Sequence, residues 1–127
     1  MLGRVLTDAD GCWILAPHAN AASEFSQTTA SERGDVLTVR ADRIFHAGAT
    51  PQAFGDDYLW IIDYKTSAHG SAGLETFLQR QREAYAPQLE TYARLLAPAL
   101  GVDAGKVRVG LYFPAIPRLL WWDPNAN

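Results

Sequence analysis

The sequence LWIIDYKT, residues 59–66, decides the fold of this chain. Its first four residues are apolar and the run is shorter than an ordinary helix, which is typical of a buried strand. Side chains alternate across a strand, so Asp63 and Lys65 share the face of Ile61 while Tyr64 points the other way. Unpaired charge is costly to bury. The stretch therefore predicts a cleft at the end of the strand, where the core stops and charged side chains begin.

Further strands and one helical region are predicted around this central strand. Residues 74–100 have helical periodicity, with a break or kink expected at Pro87 because proline is poorly tolerated inside a helix. Gly101 follows as the C-terminal cap. Turn residues and short apolar runs predict strands elsewhere, over residues 12–16, 23–29, 35–46, 106–113 and 118–122.

This order of elements favours an α/β (α+β) fold with a mixed central β-sheet flanked by a helix. The chain has 127 residues, of which 48% are hydrophobic, and this suits a single domain over residues 1–127. A net charge of -3 gives no overall basic surface for nucleic acid. Cys12 is the only cysteine, which excludes an intrachain disulfide and a cysteine-ligated cluster. No apolar run reaches the ~18–20 residues of a membrane helix, so we expect a cytoplasmic protein without a membrane partner.

A second carboxylate is expected near the end of the central strand. Asp42 lies in the preceding predicted strand at a depth similar to that of Asp63. Two carboxylates and Lys65 converging at strand ends predict a divalent-cation site with a cationic helper.

Three blocks of sequence carry a resemblance to a known family. They are RADRI at 40–44, IDYKT at 62–66 and QLETYA at 88–93, in that order on strand, strand and helix. Together they resemble the signature of the RecB-like branch of the PD-(D/E)XK nuclease superfamily. The chain is most similar to the C-terminal nuclease domains of AddA-like and RecB-like helicase–nucleases, over roughly residues 24–122.

The resemblance implies a restriction-endonuclease-like core and a set of site residues. Asp42, Asp63 and Lys65 would form the catalytic core, with Gln88 and Tyr92 bordering it from the helix. Mg²⁺ or Mn²⁺ would be held by the two aspartates and the backbone carbonyl of Tyr64, with Glu24 as an additional ligand.

The resemblance also implies a function and partners. We expect a Mg²⁺-dependent deoxyribonuclease, an exonuclease rather than an endonuclease, that processes DNA ends in recombinational repair with a helicase domain or subunit. Family members usually carry a helical segment before the first strand, often with a metal-binding histidine. Nothing before Trp13 is long enough for that segment, and His18, His46 and His69 are not placed to replace it. The chain is therefore expected to be either the nuclease core of a larger protein or a shortened relative.

Other interpretations stay open at this point. The fold could serve a non-catalytic module that binds DNA or a partner subunit, or a structure-specific endonuclease that cleaves branched DNA. Asp63 and Lys65 could form a plain ion pair, and Asp42 could be a surface salt-bridge partner of Arg40 or Arg43. Tyr92 lies on the apolar stripe of the helix and could belong to the core. The oligomeric state is not predicted.

Overall fold

A computed structural model describes residues 8–30, 33–67 and 73–125 of the chain. The described residues form two helices, five strands and a short 3-10 turn. Their order is α1 (Ala9–Leu15), β1 (Ala19–Ala30), β2 (Val36–Ala47), β3 (Tyr58–Tyr64), α2 (Leu74–Ala99), the 3-10 turn (Ala104–Lys106), β4 (Val107–Phe113) and β5 (Arg118–Trp122).

The five strands form one mixed sheet with the order β1-β2-β3-β4-β5, so β3 is central as predicted. β3 pairs with β4 in parallel, and every other neighbouring pair is antiparallel. A parallel pair needs a long crossover connection, which α2 supplies. The α+β fold with a mixed sheet is therefore confirmed. The charged end of β3 lies at the point where the chain leaves the sheet for this crossover.

Both faces of the sheet are covered. On one face, α2 packs on a cluster of buried aliphatic side chains that includes Ile61 and Val109. We call it the α2-side cluster. The other face carries the α1-side cluster, which is aromatic and is centred on Trp60, Phe45 and Tyr112. Asp63 continues the row of Leu59 and Ile61, because side chains two apart on a strand share a face, so it belongs to the α2 side.

The first element differs from the sequence prediction. Residues 12–16 were expected to form a strand, but Ala9–Leu15 is a helix. Asp8 caps it, since its carboxylate accepts a hydrogen bond from the backbone N–H of Gly11 at 2.7 Å. Ile14 is fully buried on the α1 side of the sheet. A short apolar run such as CWIL cannot be assigned to a helix or a strand by periodicity alone, and here the cap decides.

Of the break or kink expected at Pro87, the break is wrong, because α2 runs without interruption from Leu74 to Ala99, and the kink stays a prediction. A proline inside a helix leaves one carbonyl, that of Glu83, without its usual donor. Glu83 and Pro87 are both exposed, so water can satisfy that carbonyl. Leu78 before the proline and Leu89 after it are buried in the α2-side cluster, and this packing holds both halves in place.

The end of α2 follows the prediction. Gly101 has a φ of 70°, the left-handed conformation that glycine adopts without strain. Val102 N–H donates to the carbonyl of Ala97 at 2.8 Å and Gly101 N–H to that of Pro98 at 3.3 Å, which is a Schellman cap. No helix in the described ranges combines the length and the hydropathy that crossing a membrane requires.

Candidate functional site

The two predicted carboxylates lie side by side at the end of the β2–β3 ladder. The last paired residues are Arg43 and Ile62, so Asp42 faces Asp63 one position further on. Beyond the last backbone pair, the two strands are joined by hydrogen bonds between carboxylates and backbone N–H groups. Asp42 N–H donates to Oδ1 of Asp63 at 3.3 Å, and Tyr64 N–H donates to Oδ2 of Asp42 at 2.7 Å. Each carboxylate is fixed through one oxygen and keeps the other for a further partner.

The two carboxylates differ in burial and in electrostatics. Asp42 is exposed, whereas Asp63 keeps only 8% of its surface accessible. Burial raises the pKa of Asp63, and the charge of Asp42 adds to this. The hydrogen bond from Asp42 N–H and the charge of Lys65 act in the opposite direction without cancelling the shift. The pair therefore holds negative charge that its surroundings only partly compensate.

Lys65 is directed at an aromatic ring instead of at the carboxylates. Its Nζ lies 3.7 Å from the centroid of the Tyr85 ring on α2. The ion pairs between described residues are Arg108–Asp123 and Arg118–Glu75, and neither involves this site. The interpretation of Asp63 and Lys65 as a plain ion pair is therefore wrong.

Asp42 is not a salt-bridge partner either. The guanidinium of Arg43 donates to the carbonyls of Ile14 at 2.9 Å and Ala16 at 3.0 Å. It also donates to Oγ of Ser23 at 2.9 Å. These bonds take Arg43 to the α1 side of the sheet, where it caps the end of α1.

Arg40 is the other cation beside Asp42 in the sequence. It is exposed and has no ion pair with any residue in the described ranges. The negative charge of the two aspartates is thus left without a bound cationic side chain.

The helix residues of the predicted site form one stripe of α2. Gln88 Nε2 donates to the hydroxyl of Tyr92 at 3.1 Å. Tyr85, Gln88 and Tyr92 are three and four residues apart, so they share a face of the helix. Tyr92 also packs against the α2-side cluster and so contributes to the core, while its place at the border of the site stays a prediction. The stripe starts at the ring that contacts Lys65.

Glu24 lies opposite Asp42 on β1, between the pairs Ser23–Arg43 and Phe25–Ala41. Its φ of 52° is unusual for a strand. Ala22 and Phe25 both pack against the α2-side cluster, although strict alternation would place them on opposite faces, so β1 changes face here. No group of three or more Asp, Glu, His or Cys side chains within the described ranges is placed to hold a metal ion. Glu24 lines the same cavity as Asp42, and its role as an additional metal ligand stays a prediction.

Tyr64 contributes its backbone to the site through the N–H bonded to Asp42. Its ring points to the α1 side and packs against the aromatic cluster there. The phenol oxygen is buried without a hydrogen-bond partner, and burial raises the pKa of the phenol. The carbonyl of Tyr64 as a metal ligand stays a prediction.

An open cavity of about 250 Å³ adjoins the carboxylate pair on the β1–β2 side. Its lining consists of Glu24, Phe25, Ser26, Arg40, Ala41 and Asp42. The cavity joins the exposed carboxylate of Asp42 to the unpaired guanidinium of Arg40. An anion that reached the site would therefore meet a cationic side chain beside the aspartates.

Two residues of this arrangement were not identified from the sequence. Tyr85 lies three positions before Gln88, so its helical spacing indicates the same face, but nothing in the pattern predicts contact with Lys65. Arg40 was considered only as a member of a sequence block and as a salt-bridge partner of Asp42. Of the histidines, His18 stacks on Phe45 in the aromatic cluster with a centroid separation of 4.3 Å, and His46 pairs with Leu59 in the β2–β3 ladder. His69 lies outside the described residues.

Comparison of the sequence with protein-family models finds no matching family, and a search of curated proteins finds no significant match.

Proposed function

We propose that this protein is a metal-dependent DNA nuclease with a restriction-endonuclease-like core. The observation that carries the proposal is the Asp42–Asp63 pair, fixed by two backbone hydrogen bonds at the end of the β2–β3 ladder. A protein gains no stability from placing a buried carboxylate beside a second one, because both burial and like charge disfavour the ionised form. Such an arrangement is typical of a site that binds a cation.

The residues present fit a magnesium ion. Mg²⁺ retains several waters and is commonly bound through only one or two carboxylates together with substrate phosphates. Oδ1 of Asp42 and Oδ2 of Asp63 are the oxygens not used in the two backbone bonds. When bound, Mg²⁺ or Mn²⁺ supplies Lewis-acid polarisation of the phosphodiester and lowers the pKa of a coordinated water. The aspartates hold the ion, and the peptide groups of residues 42 and 64 hold the aspartates.

Other side chains of the site bind and orient the nucleic acid. The ammonium of Lys65 offsets negative charge that develops on the phosphate during hydrolysis. Arg40 lines the same cavity as Asp42 and binds a neighbouring phosphate of the same DNA strand, since a guanidinium can donate two hydrogen bonds to one phosphate group. The amide of Gln88 and the hydroxyl of Tyr92 border the site from α2.

The wider role is supported by the resemblance of the three sequence blocks. By that resemblance the protein processes DNA ends as an exonuclease, in the cytoplasm, with a helicase domain or subunit in recombinational repair. The arrangement of Asp42, Asp63 and Lys65 on two neighbouring strands is consistent with this assignment.

Titration of Mn²⁺ into the purified protein by calorimetry tests the metal site. We expect one-site binding that is lost in Asp42→Ala and in Asp63→Ala. Asp57→Ala is the matched control, because Asp57 is an exposed carboxylate of the loop before β3. Wild-type protein that is folded and binds no Mn²⁺ would overturn the proposal.

Degradation of DNA tests the catalytic assignment. We expect Mg²⁺-dependent degradation of linear single-stranded DNA that falls by at least about 100-fold in Lys65→Ala. Lys106→Ala is the control, because Lys106 is the only other lysine of the chain and is exposed. Activity that persists in Lys65→Ala, or that needs no metal, would exclude this mechanism. Cleavage confined to branched DNA would instead identify a structure-specific endonuclease.

A further inference from the structure

The ammonium group of Lys65 is held against the Tyr85 ring, from where its charge still acts on Asp63. The separation of 3.7 Å between Nζ and the ring centroid lies well inside the ~6 Å range of cation–π attraction. Both side chains are half-buried, where this attraction is screened less than at the surface. A lysine beside a buried aspartate would ordinarily pair with it, so the choice of the ring needs an explanation.

The backbone of Lys65 is fixed as well. Its N–H donates to the carbonyl of Tyr112 at 2.8 Å, which extends the parallel β3–β4 pairing by one residue. The flexible side chain is thus restrained at the peptide by the sheet and at the ammonium by α2. Contact with the ring restricts the four rotatable bonds of the lysine side chain, which the backbone hydrogen bond leaves free.

We propose that Tyr85 is the positioning residue for Lys65, holding its ammonium at the helix side of the site and away from an ion pair with Asp63. The inference rests on the proposed function and extends it to regulation of the same site. A Lys65–Asp63 ion pair would occupy the carboxylate that a divalent cation needs. By holding the lysine, the ring leaves the aspartates free for the cation and keeps the ammonium close enough to meet a bound phosphate.

The arrangement of α2 is consistent with this role. Tyr85 is one turn before Gln88 and two turns before Tyr92, so a single helix face carries the ring and the hydrogen-bonded pair. Leu89, four residues after Tyr85 on the same face, is fully buried and sets the rotation of the helix against the sheet. The position of the ring is therefore determined by the core.

Nuclear magnetic resonance of protein labelled with ¹³C-lysine tests the contact directly. The chain contains two lysines, so the spectrum reports Lys65 with Lys106 as an internal reference. The Tyr85 ring current should shift the ε-methylene signal of Lys65 upfield by several tenths of a ppm in ¹H. The shift should persist in Tyr85→Phe, which keeps the ring, and disappear in Tyr85→Leu. Lys106 should stay unchanged in both variants.

Calorimetry with Mn²⁺ alone tests the consequence for the site. Tyr85→Leu should bind Mn²⁺ about 3- to 10-fold more weakly than wild type, because Lys65 is then free to pair with Asp63. Tyr85→Phe should bind as wild type does. Adding Lys65→Ala to Tyr85→Leu should restore the affinity, which a merely structural defect of the ring variant would not do.

The outcomes separate this inference from the proposed function. A Lys65 signal without an upfield shift, or a Tyr85→Leu protein with wild-type Mn²⁺ affinity, overturns the positioning role while the nuclease proposal stands. A wild-type protein that binds no Mn²⁺ overturns both, whatever the lysine spectrum shows.

Discussion

Arg43 and Asp63 are the two charged side chains buried in the described part of the chain, and their surroundings are opposite. Arg43, on the α1 side, donates hydrogen bonds to Ile14, Ala16 and Ser23. Asp63, on the α2 side, accepts one long bond from Asp42 N–H at 3.3 Å. The charge of Arg43 is therefore hydrogen-bonded to fixed polar groups, whereas the charge of Asp63 has only one weak donor among the described residues.

This difference separates a structural charge from a functional one. A buried cation with a full set of acceptors joins two elements, here the end of α1 and the sheet. A buried anion with few donors and a like charge next to it costs stability and invites a cation. One residue lies on each side of the same ladder, so the comparison can be tested in a single protein by substituting each charge.

The largest expected effect is at the satisfied charge. Arg43→Met removes the donors to two carbonyls at the end of α1 while keeping most of the side-chain volume. Because those acceptors are then buried without partners, we expect unfolding in urea to show a loss of about 3 kcal/mol. Arg94→Met, at an exposed position on α2, should change stability by less than about 0.5 kcal/mol. A loss below about 1 kcal/mol for Arg43→Met would show that the charge is not structural.

The opposite sign is expected at Asp63. Asp63→Asn keeps an acceptor for Asp42 N–H and removes the buried charge, so we expect a gain of about 1 kcal/mol at pH 7, with loss of Mn²⁺ binding. A raised pKa means that folded wild-type protein binds a proton more tightly than unfolded protein does. The cost of the ionised carboxylate is therefore present in full above that pKa. This cost is relieved as the pH falls through the raised pKa of folded Asp63 towards 3.8, the ordinary pKa of an aspartate.

The measurement is the free energy of unfolding of both proteins between pH 7 and pH 4. The advantage of Asp63→Asn should shrink as the pH falls, because wild-type Asp63 becomes protonated in the folded state. If Asp63→Asn is less stable than wild type by the same amount at every pH, the Asp63 carboxylate has the hydrogen bonds it needs, as the guanidinium of Arg43 does.

The smallest effect is expected at the exposed cation of the cavity. Arg40→Ala should weaken binding of a labelled single-stranded oligonucleotide about 3- to 10-fold in metal-free buffer. The dependence of log K on log salt should become shallower by about 0.7, as for one lost phosphate contact. Arg118→Ala is the control, since Arg118 lies on β5, at the opposite edge of the sheet from β1. Equal effects of the two substitutions, read by fluorescence anisotropy, would mean that the cavity binds no phosphate.

The sequence pattern predicted the elements whose conformation is determined by their own residues. The strands around residues 59–64, 107–113 and 118–122 have apolar patterns that leave one assignment, and Gly101 has the conformation expected of a helix cap. The helix α1 was missed because a hydrogen bond from Gly11 to Asp8 settles an ambiguous apolar run. Continuity through Pro87 was missed because packing on both sides of the proline outweighs its local cost.

The position of Asp42 opposite Asp63 could be predicted, because the two residues lie on consecutive strands that pair with each other. The contact between Lys65 and Tyr85 could not, because it depends on how α2 is rotated against the sheet. Sequence spacing relates residues within one element, whereas this rotation is set by the core between elements. The hydrogen bonds of Arg43 could not be predicted for the same reason, since two of their acceptors are carbonyls at the end of α1.

The parallel pairing of β3 with β4 has a consequence for the order of folding. β1, β2 and β3 follow one another as antiparallel neighbours, so Asp42 and Asp63 meet through contacts that are short in sequence. Leu59 meets Val107 only after the whole of α2 has been closed into a loop, which costs more chain entropy. The acidic half of the site can thus assemble early, whereas the hydrogen bond from Lys65 N–H to the carbonyl of Tyr112 on β4 forms only with the slower crossover step.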